Sequence, residues 1–354
     1  MVTSKKEILS PEQLICPAFY VENGVITHVN SMAEARQITV GTAVTDLIVC
    51  GNEEYAEFSS GRLNLTLSIC DNQCSAYVFR EGKTDIFCLE SPFAQPELRA
   101  FSLAAQHLRE PLSNAILNMN TLLPNAELLS NADTKKQLSG VSKNLQQMLR
   151  ILCNMSDAVS YGRAANMEFR NAVSVFAEIL EKCKTMLAQA GIALQIQLPS
   201  EEVYTLVDEE MLNRSILNLL SNTVKFAKDN KSLTVSLKHK NKRLYFSVTQ
   251  NNDSTQNSAL SISRFLREPS IEDGRNGIGL GLYLVHKVAS AHGGAVLMEH
   301  LPDEQLRITM TVAVRRANSQ MLRSPVRLPY DYAGERDHCL LELSDILPAE
   351  LYLD

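Results

Sequence analysis

The sequence has 354 residues, with 34 Lys and Arg, 40 Asp and Glu, and a formal net charge of -6 at pH 7. Since roughly 100–200 residues make one domain, this length indicates two or three domains. The acidic balance gives no general electrostatic reason to bind nucleic acid or an anionic membrane, so neither is an expected partner. No apolar run reaches the roughly 18 residues of a membrane-spanning helix, and the polar start MVTSKKEILS lacks the apolar core of a signal peptide. We therefore expect a cytoplasmic protein.

Residues 1–95 show short apolar runs separated by turn signals. The dipeptide Asn23-Gly24 predicts a hairpin, and the alternation in LNLTLSI is typical of a half-buried strand. A hairpin, a few helical turns and then three strands precede a long helix. This order resembles a PAS sensor domain, which implies a small α/β module that senses a signal. Cys70 and Cys74 lie close together, but no second Cys or His pair completes a zinc site.

Residues 96–162 carry two heptad seams, which predict two long amphipathic helices. The seams consist of Leu98, Phe101, Ala105, Leu108, Leu112, Ala115, Met119 and Leu122, and then of Leu138, Val141, Leu145, Met148, Leu152, Met155 and Val159. A turn with an N-cap lies between them, so we expect an antiparallel helical hairpin. Two helices leave apolar surface uncovered, and a homodimer forming a four-helix bundle would cover it.

Residues 163–316 alternate helices and strands, which predicts a sheet with helices on one face. Residues 317–354 contain three prolines and an acidic end, LLELSDILPAELYLD, and are interpreted as either a docked extension or a flexible interaction segment. The fold class that follows is multidomain α+β, with a PAS-like α/β module, a helical hairpin and an α/β sandwich.

Two motifs in the third region have residues suited to phosphate chemistry. Arg214, Asn218, Asn222 and Lys225 recur at spacings of four, four and three, so they share one stripe of a helix that begins after Asp208. Amide oxygens suit Mg²⁺ and a lysine suits phosphate, although a solvated polar face would show the same pattern.

The second motif, NGIGLGLYLVHKVASAHGG, places Gly277, Gly279 and Gly281 at the start of a helix, where backbone N–H groups attract an anion. It is not the dinucleotide fingerprint, because the last glycine position holds Leu282 and no strand comes before it.

Together, NLLSNTVKFA and GIGLGLYLVHKVASAHGG resemble the N box and the second glycine box of the histidine kinase ATP-binding domain, whose Bergerat fold is shared with gyrase-type ATPases. The helical hairpin is similar to the dimerisation and phosphoacceptor domain of that family. The resemblance implies ATP and Mg²⁺ as cofactors. Asn222 would coordinate Mg²⁺, Asn218 and Lys225 would lie at the phosphates, and the three glycines would line a lid formed by residues 251–276.

The first departure from the family is in its first glycine box, which reads Asp-x-Gly-x-Gly after a strand. Here Gln250 holds the position of the aspartate that accepts a hydrogen bond from adenine, and Asn252 and Ser254 hold the glycine positions. A glutamine carbonyl accepts this bond as a neutral and therefore weaker partner. We expect reduced ATP affinity.

The second departure is QHLREPL, where the family has His-Glu-Leu-Arg-Thr-Pro-Leu. With Leu108, Arg109, Pro111 and Leu112 aligned, Gln106 stands in the histidine position and His107 in the glutamate position. One residue turns a helical side chain by about 100°. His107 is therefore either an exposed residue without chemistry, which we prefer, or a phosphoacceptor in an unusual register.

The resemblance implies a two-component signalling protein of the sensor histidine kinase type, with weak or no autokinase activity. The alternative is an active kinase that phosphorylates His107 and passes the phosphate to a response regulator. A third possibility is a purely structural dimer. The expected partners are a second copy and a response regulator or another signalling protein.

Overall fold

The computed structural model describes residues 10–90, 95–122, 131–160, 166–225, 232–251, 280–301, 305–315 and 337–352. Ten of its strands follow one another in a single sheet. The order is β2 (Val25–Val29), β1 (Ala18–Glu22), β6 (Thr84–Leu89), β5 (Asn72–Glu81), β4 (Arg62–Ile69), β12 (Val296–Leu301), β13 (Gln305–Ala313), β11 (Arg243–Asn251), β10 (Ser232–Lys240) and β8 (Ala193–Gln197). A further strand, β3 (Ile48–Cys50), pairs with β4 beside this path. A separate two-stranded sheet contains β7 (Glu168–Asn171) and β9 (Tyr204–Val207). No helix within these ranges combines the length and the apolar content needed to cross a bilayer.

The first region forms one half of the large sheet. Its elements are β1 (Ala18–Glu22), β2 (Val25–Val29), α1 (Ser31–Glu34), β3 (Ile48–Cys50), α2 (Asn52–Glu57), β4 (Arg62–Ile69), β5 (Asn72–Glu81) and β6 (Thr84–Leu89). The predicted hairpin joins β1 and β2, and Asn23 and Gly24 both have the positive φ angles, 51° and 79°, that such a tight turn requires. The alternating run LNLTLSI lies in β4, as expected for a strand.

Two long helices follow, α3 (Gln95–Leu122) and α4 (Ala132–Ser160), and they pack against each other. Their buried faces differ from the predicted seams. On α3 the residues Leu112 and Ile116 are buried whereas Leu108 is 56% exposed, and on α4 Leu149 is buried whereas Met148 is 55% exposed. The reason is that the buried faces pack within this one chain, around a cluster that also contains Leu341 from the C-terminal segment. The expected turn at 123–130 lies outside the described residues.

The third region forms the other half of the large sheet and carries three helices on one of its faces. Its elements are β7 (Glu168–Asn171), α5 (Ala172–Gln189), β8 (Ala193–Gln197), β9 (Tyr204–Val207), α6 (Glu209–Lys225), β10 (Ser232–Lys240), β11 (Arg243–Asn251), α7 (Leu280–Ala291), β12 (Val296–Leu301) and β13 (Gln305–Ala313). Along β11, Phe246 and Val248 are buried towards the helices, whereas Ser247 and Thr249 are half-buried on the opposite face. This layered α+β arrangement agrees with the sequence prediction.

The two halves of the sheet meet where β4 pairs with β12, in the register Arg62 to Met298 and Asn64 to Val296. The approach is close at Gly61, where an added Cβ would lie 2.1 Å from the carbonyl oxygen of Met298 and where φ is 89°. Only glycine fits that backbone position without a shift. The first region and the third region therefore share a sheet, and the domain limits near residues 95 and 163 remain predictions.

Buried polar contacts strengthen this junction. The Glu54 carboxylate, on α2, accepts a hydrogen bond of 2.5 Å from Thr311 Oγ1 and lies 3.0 Å from Arg243 Nη1. On the other side of the sheet, His286 of α7 lies 3.2 Å from the Ser75 hydroxyl of β5. Because polar groups are costly to bury without partners, these pairings across the junction offset the cost of burying them.

The C-terminal segment 337–352 is docked, which decides between the two alternatives for this part of the tail. It contains α8 (His338–Glu342) and a 3₁₀ turn at Ala349–Tyr352. Asp337 caps α8 by accepting a hydrogen bond of 2.8 Å from the Cys339 backbone N–H. Leu343 and Leu347 are fully buried in the core of the third region, so the segment is packed by apolar contacts as well as by polar ones.

Candidate functional site

The polar stripe lies on α6, which begins where the sequence predicts. Asp208 Oδ1 accepts a hydrogen bond of 3.0 Å from the Met211 backbone N–H, so Asp208 caps the helix, and Glu209 and Glu210 in the first turn complement its dipole. The apolar face of α6 is buried in the core through Leu212, Ile216, Leu219 and Leu220. This packing fixes the direction in which the polar stripe points.

Two residues of the stripe are buried, which argues against a solvated polar face at these positions. Arg214 is 3% exposed and Asn218 is 5% exposed. Asn218 Nδ2 donates hydrogen bonds to the Arg214 carbonyl oxygen at 3.1 Å and to Glu342 Oε2 at 3.4 Å. Asn222, one turn further, is half-buried.

The glycine motif meets the stripe at Gly281, in the first turn of α7. A Cβ added at Gly281 would lie 2.8 Å from Asn222 Nδ2 and 3.2 Å from Asn218 Oδ1. The absence of a side chain therefore leaves room for both amides beside the α7 backbone. The structure thus brings together three predicted site residues from the two motifs. Gly277, Gly279 and residues 252–276 of the expected lid lie outside the described residues.

Gln250 occupies the end of β11 on the helix-facing side of the sheet. Its side chain is 2% exposed, and within the described ranges neither Oε1 nor Nε2 has a hydrogen-bond partner. A buried primary amide without partners costs free energy, so this position is suited to a ligand that supplies a donor and an acceptor.

Lys225 at the end of α6 forms an ion pair with Asp345 of the C-terminal segment, and Asp345 also pairs with Arg150 of α4. Burial by itself would raise the pKa of the Asp345 carboxyl, but Arg150 and Lys225 outweigh it and hold this pKa below its usual value. Asp345 is therefore an anion at neutral pH.

Arg150 links three parts of the site. Its Nη1 donates to Ser221 Oγ of α6 at 3.2 Å and to the Glu342 carbonyl oxygen at 3.0 Å, and its Nη2 pairs with Asp345. Sequence reasoning missed Arg150, although its position inside the apolar run MLRILC was a signal. It also missed Glu342 and Asp345, for which the acidic end of the chain gave only a general indication.

A second buried ion pair joins α4 to α6. Arg214 Nη1 pairs with Asp157, and Arg214 Nε lies 3.5 Å from Glu342 Oε1. Burial raises the pKa of Asp157 to about 6, while the neighbouring Arg214 lowers it and Glu342 raises it further. The helical region and the third region are thus connected through charged groups that are almost fully enclosed.

The QHLREPL stretch lies within α3, with Pro111 inside the helix. His107 is exposed and Leu112 is buried. As expected for consecutive helical residues, the backbone positions of Gln106 and His107 are about 100° apart around the helix axis. Of the predicted site residues, His107 is on a different helix from the three residues gathered at α6 and α7.

The part of the chain that contains this site is similar to proteins of a known family. The family described as "Histidine kinase-, DNA gyrase B-, and HSP90-like ATPase" matches residues 207–316. Sensor protein KdpD of Clostridium acetobutylicum is 22% identical over 194 residues, which are 53% of this chain and 21% of KdpD. Adaptive-response sensory kinase SasA of Synechococcus sp. strain CC9902 is 22% identical over 228 residues, which are 63% of this chain and 58% of SasA. The chain therefore spans less than two thirds of the length of either relative.

Two solved structures align with parts of this chain. ShkA in complex with AMPPNP is 21% identical, with a TM-score of 0.47 over 62% of this chain and 47% of ShkA. The Acinetobacter baumannii histidine kinase AdeS is 16% identical, with a TM-score of 0.38 over 59% of this chain and 98% of AdeS. The ATPase match covers both the polar stripe and Gly281, and the curated relatives extend the similarity beyond it. Residues 207–316 thus match the histidine kinase-, DNA gyrase B-, and HSP90-like ATPase family, and the chain as a whole is similar to sensor histidine kinases.

Proposed function

We propose that this chain is a cytoplasmic two-component signalling protein that binds Mg·ATP weakly and has weak or no autokinase activity. The observation that carries the proposal is in α3, where Gln106 stands in the position that the family reserves for the phosphoacceptor histidine. A glutamine amide does not accept a phosphoryl group from ATP. The neighbouring His107 is exposed, but it points in another direction around the helix.

The described residues fit a nucleotide. Gly281 leaves room for the Asn218 and Asn222 amides beside the α7 backbone, and Gln250 offers a buried amide without a partner in the described ranges. Asn222 would hold the Mg²⁺, Asn218 and Lys225 would hold phosphate oxygens, and Gln250 would accept a hydrogen bond from adenine. Bound Mg·ATP would supply the phosphoryl group for transfer to a side chain.

The affinity follows from the charge of these groups. A carboxylate in place of Gln250 would accept a charge-assisted hydrogen bond, which is roughly twice as strong as a neutral one. The neutral Gln250 amide therefore supports weak binding, with a Kd on the order of tens of micromolar or weaker. Phosphoryl transfer depends almost wholly on positioning, so an acceptor displaced by one residue along α3 would lose most of the rate.

A second copy of the chain would complete the helical region. On the side of α4 that does not pack within the chain, Val141 is 47% exposed, Met148 is 55% exposed and Ile151 is 42% exposed, and Leu108 of α3 is also exposed. Apolar surface of this kind on two amphipathic helices supports a homodimer with a four-helix bundle. A PAS-like sensor at residues 10–90 would then act on the ATPase-like region through the β4–β12 junction.

The alternative function is an active histidine kinase that phosphorylates His107 and passes the phosphate to an aspartate of a response regulator. The exposure of His107 favours this candidate, because an acceptor must be reachable. A third candidate, a purely structural dimer, would need no nucleotide.

Two measurements on the full chain separate the three candidates. Calorimetric titration with Mg·ATP detects the nucleotide site, and incubation with γ-labelled ATP followed by an acid-lability test detects phosphohistidine. Weak binding without label supports our proposal. Robust label that His107→Ala abolishes would establish the active kinase instead, and no nucleotide binding by folded protein would leave the structural dimer.

A further inference from the structure

The C-terminal segment 337–352 places two carboxylates on the polar stripe of α6. Glu342 is fully buried and contacts Asn218, and Asp345 pairs with Lys225. We propose that this segment is an internal competitor of the nucleotide. The polar stripe must release Glu342 and Asp345 before it can bind the phosphates of the nucleotide. The inference rests on the proposed function, because it concerns the regulation of the same site.

The competition is chemical, since a carboxylate and a phosphate need the same partners. The Lys225 ammonium and the Asn218 Nδ2–H group would donate hydrogen bonds to phosphate oxygens of the nucleotide. In this structure they contact carboxylate oxygens of the chain itself. An anionic carboxylate in contact with Lys225 also repels an incoming polyphosphate. These two donors therefore cannot bind the carboxylates of the segment and the phosphates of the nucleotide at the same time.

The segment is held firmly enough to compete. Arg150 of α4 binds both Asp345 and the Glu342 carbonyl oxygen. Leu341 is buried in the cluster between α3 and α4, while Leu343 is buried in the core of the third region. Lys143 and Gln147 of α4 add hydrogen bonds of 2.7 Å to the Leu347 carbonyl oxygen and 3.3 Å to the Ser344 carbonyl oxygen.

Because α4 and α6 both form contacts with the segment, its release would also remove contacts between the helical region and the ATPase-like region. Arg150 would keep Ser221 as its remaining partner on α6, and Arg214 would keep Asp157. The nucleotide site and the position of the helices would thus respond to one event. Any signal that removes the segment would raise nucleotide affinity and mobilise the helices together.

The test compares nucleotide binding by the wild-type full chain with that of the double variant Glu342→Gln, Asp345→Asn. A segment that leaves the site open in roughly a tenth of the molecules lowers the apparent affinity for Mg·ATP about tenfold. The double variant removes the competing charges, so we expect it to bind Mg·ATP about tenfold more tightly than the wild type. Adenosine, which lacks phosphates, should bind both proteins within about a factor of two. Glu350→Gln removes an exposed carboxylate of the same segment and is the matched control, with wild-type affinity expected.

A second measurement uses the wild-type chain alone. Saturating Mg·ATP should speed hydrogen exchange at the backbone amides of residues 338–347, and adenosine should not. Equal ATP affinity in wild type and double variant, with exchange in the segment unchanged by ATP, would overturn the competition and leave the proposed nucleotide site standing. Absence of ATP binding in both proteins, with circular dichroism showing that they are folded, would overturn the nucleotide site and the competition together.

Discussion

Asn218 Nδ2 donates a hydrogen bond of 3.4 Å to Glu342 Oε2, across 124 residues of chain. The same asparagine lies beside α7 at Gly281, where an added Cβ would come within 3.2 Å of Asn218 Oδ1. One buried amide is therefore shared between the glycine motif and the C-terminal segment. This sharing connects the candidate nucleotide site to a part of the chain that the family resemblance does not cover.

Replacement of Asn222 by Ala should abolish the binding of Mg·ATP. The amide oxygen would be the Mg²⁺ ligand of the chain, and removal of a hard oxygen ligand leaves the metal and the phosphates without their link to α6. Calorimetry with Mg·ATP measures the loss. Asn213→Ala is the control, because Asn213 lies nine residues earlier and about 180° away around the same helix. Equal losses in both variants would mean that helix damage, not a lost ligand, weakens binding.

Gln250→Asp should strengthen nucleotide binding by about tenfold. The new carboxylate would accept a charge-assisted hydrogen bond from the adenine amino group, and a bond of this kind is worth roughly 1.5–3 kcal/mol against about 1 kcal/mol for a neutral one. Thr249→Asp adds the same charge on the opposite face of the sheet and should leave the affinity unchanged. Competition with GTP checks the cause, since only adenine binding should improve. An unchanged Kd for Gln250→Asp would show that adenine does not contact this position.

The double substitution Gln106→His, His107→Glu should create acid-labile phosphate in a chain that otherwise forms none. It restores the family order in α3 and turns the imidazole by about 100° to the side occupied by the acceptor of active relatives. Labelling with γ-labelled ATP, followed by acid and base treatment, identifies phosphohistidine. His107→Glu alone is the control and should stay unlabelled. Strong labelling of the wild type, lost in His107→Ala, would contradict the displaced acceptor.

Val141→Glu should convert a dimer into a monomer without unfolding it. Val141 is 47% exposed in a single chain, so a charge there is solvated in the monomer and buried only at the interface of two copies. Sedimentation velocity measures the change, and Val40→Glu, at an exposed valine of the first region, is the control. Leu112 is unsuitable because it is buried against its own chain. A dimer that survives Val141→Glu would exclude this face of α4 as the interface.

The stability of the protein should fall with acidity, in part through His286. Burial lowers the pKa of His286 to about 3, from an ordinary value near 6.5. The unfolded chain therefore takes up a proton below pH 6.5 that the folded chain does not, so His286 destabilises the fold progressively as pH falls from about 6.5 towards 3. The urea midpoint measured between pH 7 and 4.5 should show this slope.

His286→Gln removes that proton uptake and should flatten the slope, although it should also lower stability at pH 7 by about 1–2 kcal/mol through the altered contact with Ser75. His292 contributes in the same direction, because burial lowers its pKa as well, so part of the slope should remain. His28→Gln, at an exposed histidine, is the control. An unaltered slope in His286→Gln would show that His286 is protonated or water-exposed in the folded state.

The sequence by itself determined the elements that local spacing encodes. Asp208 starts α6, Asn23 and Gly24 form the hairpin turn, and Asn218 and Asn222 share a stripe, because capping, turn geometry and a period of 3.6 depend on residues close in the chain. The position of Gln106 relative to Pro111 was likewise evident from spacing alone.

Only the tertiary structure decided which surfaces of these elements meet. The pairing of β4 with β12 uses backbone groups, which every strand possesses, so no residue pattern predicts it. The choice of Ile116 over Leu108 as a buried residue depended on what packs beside α3, since both are apolar and lie on neighbouring sides of the helix. Glu342 and Asp345 reached the polar stripe from more than a hundred residues away, and contacts at that separation have no periodicity in the sequence to reveal them.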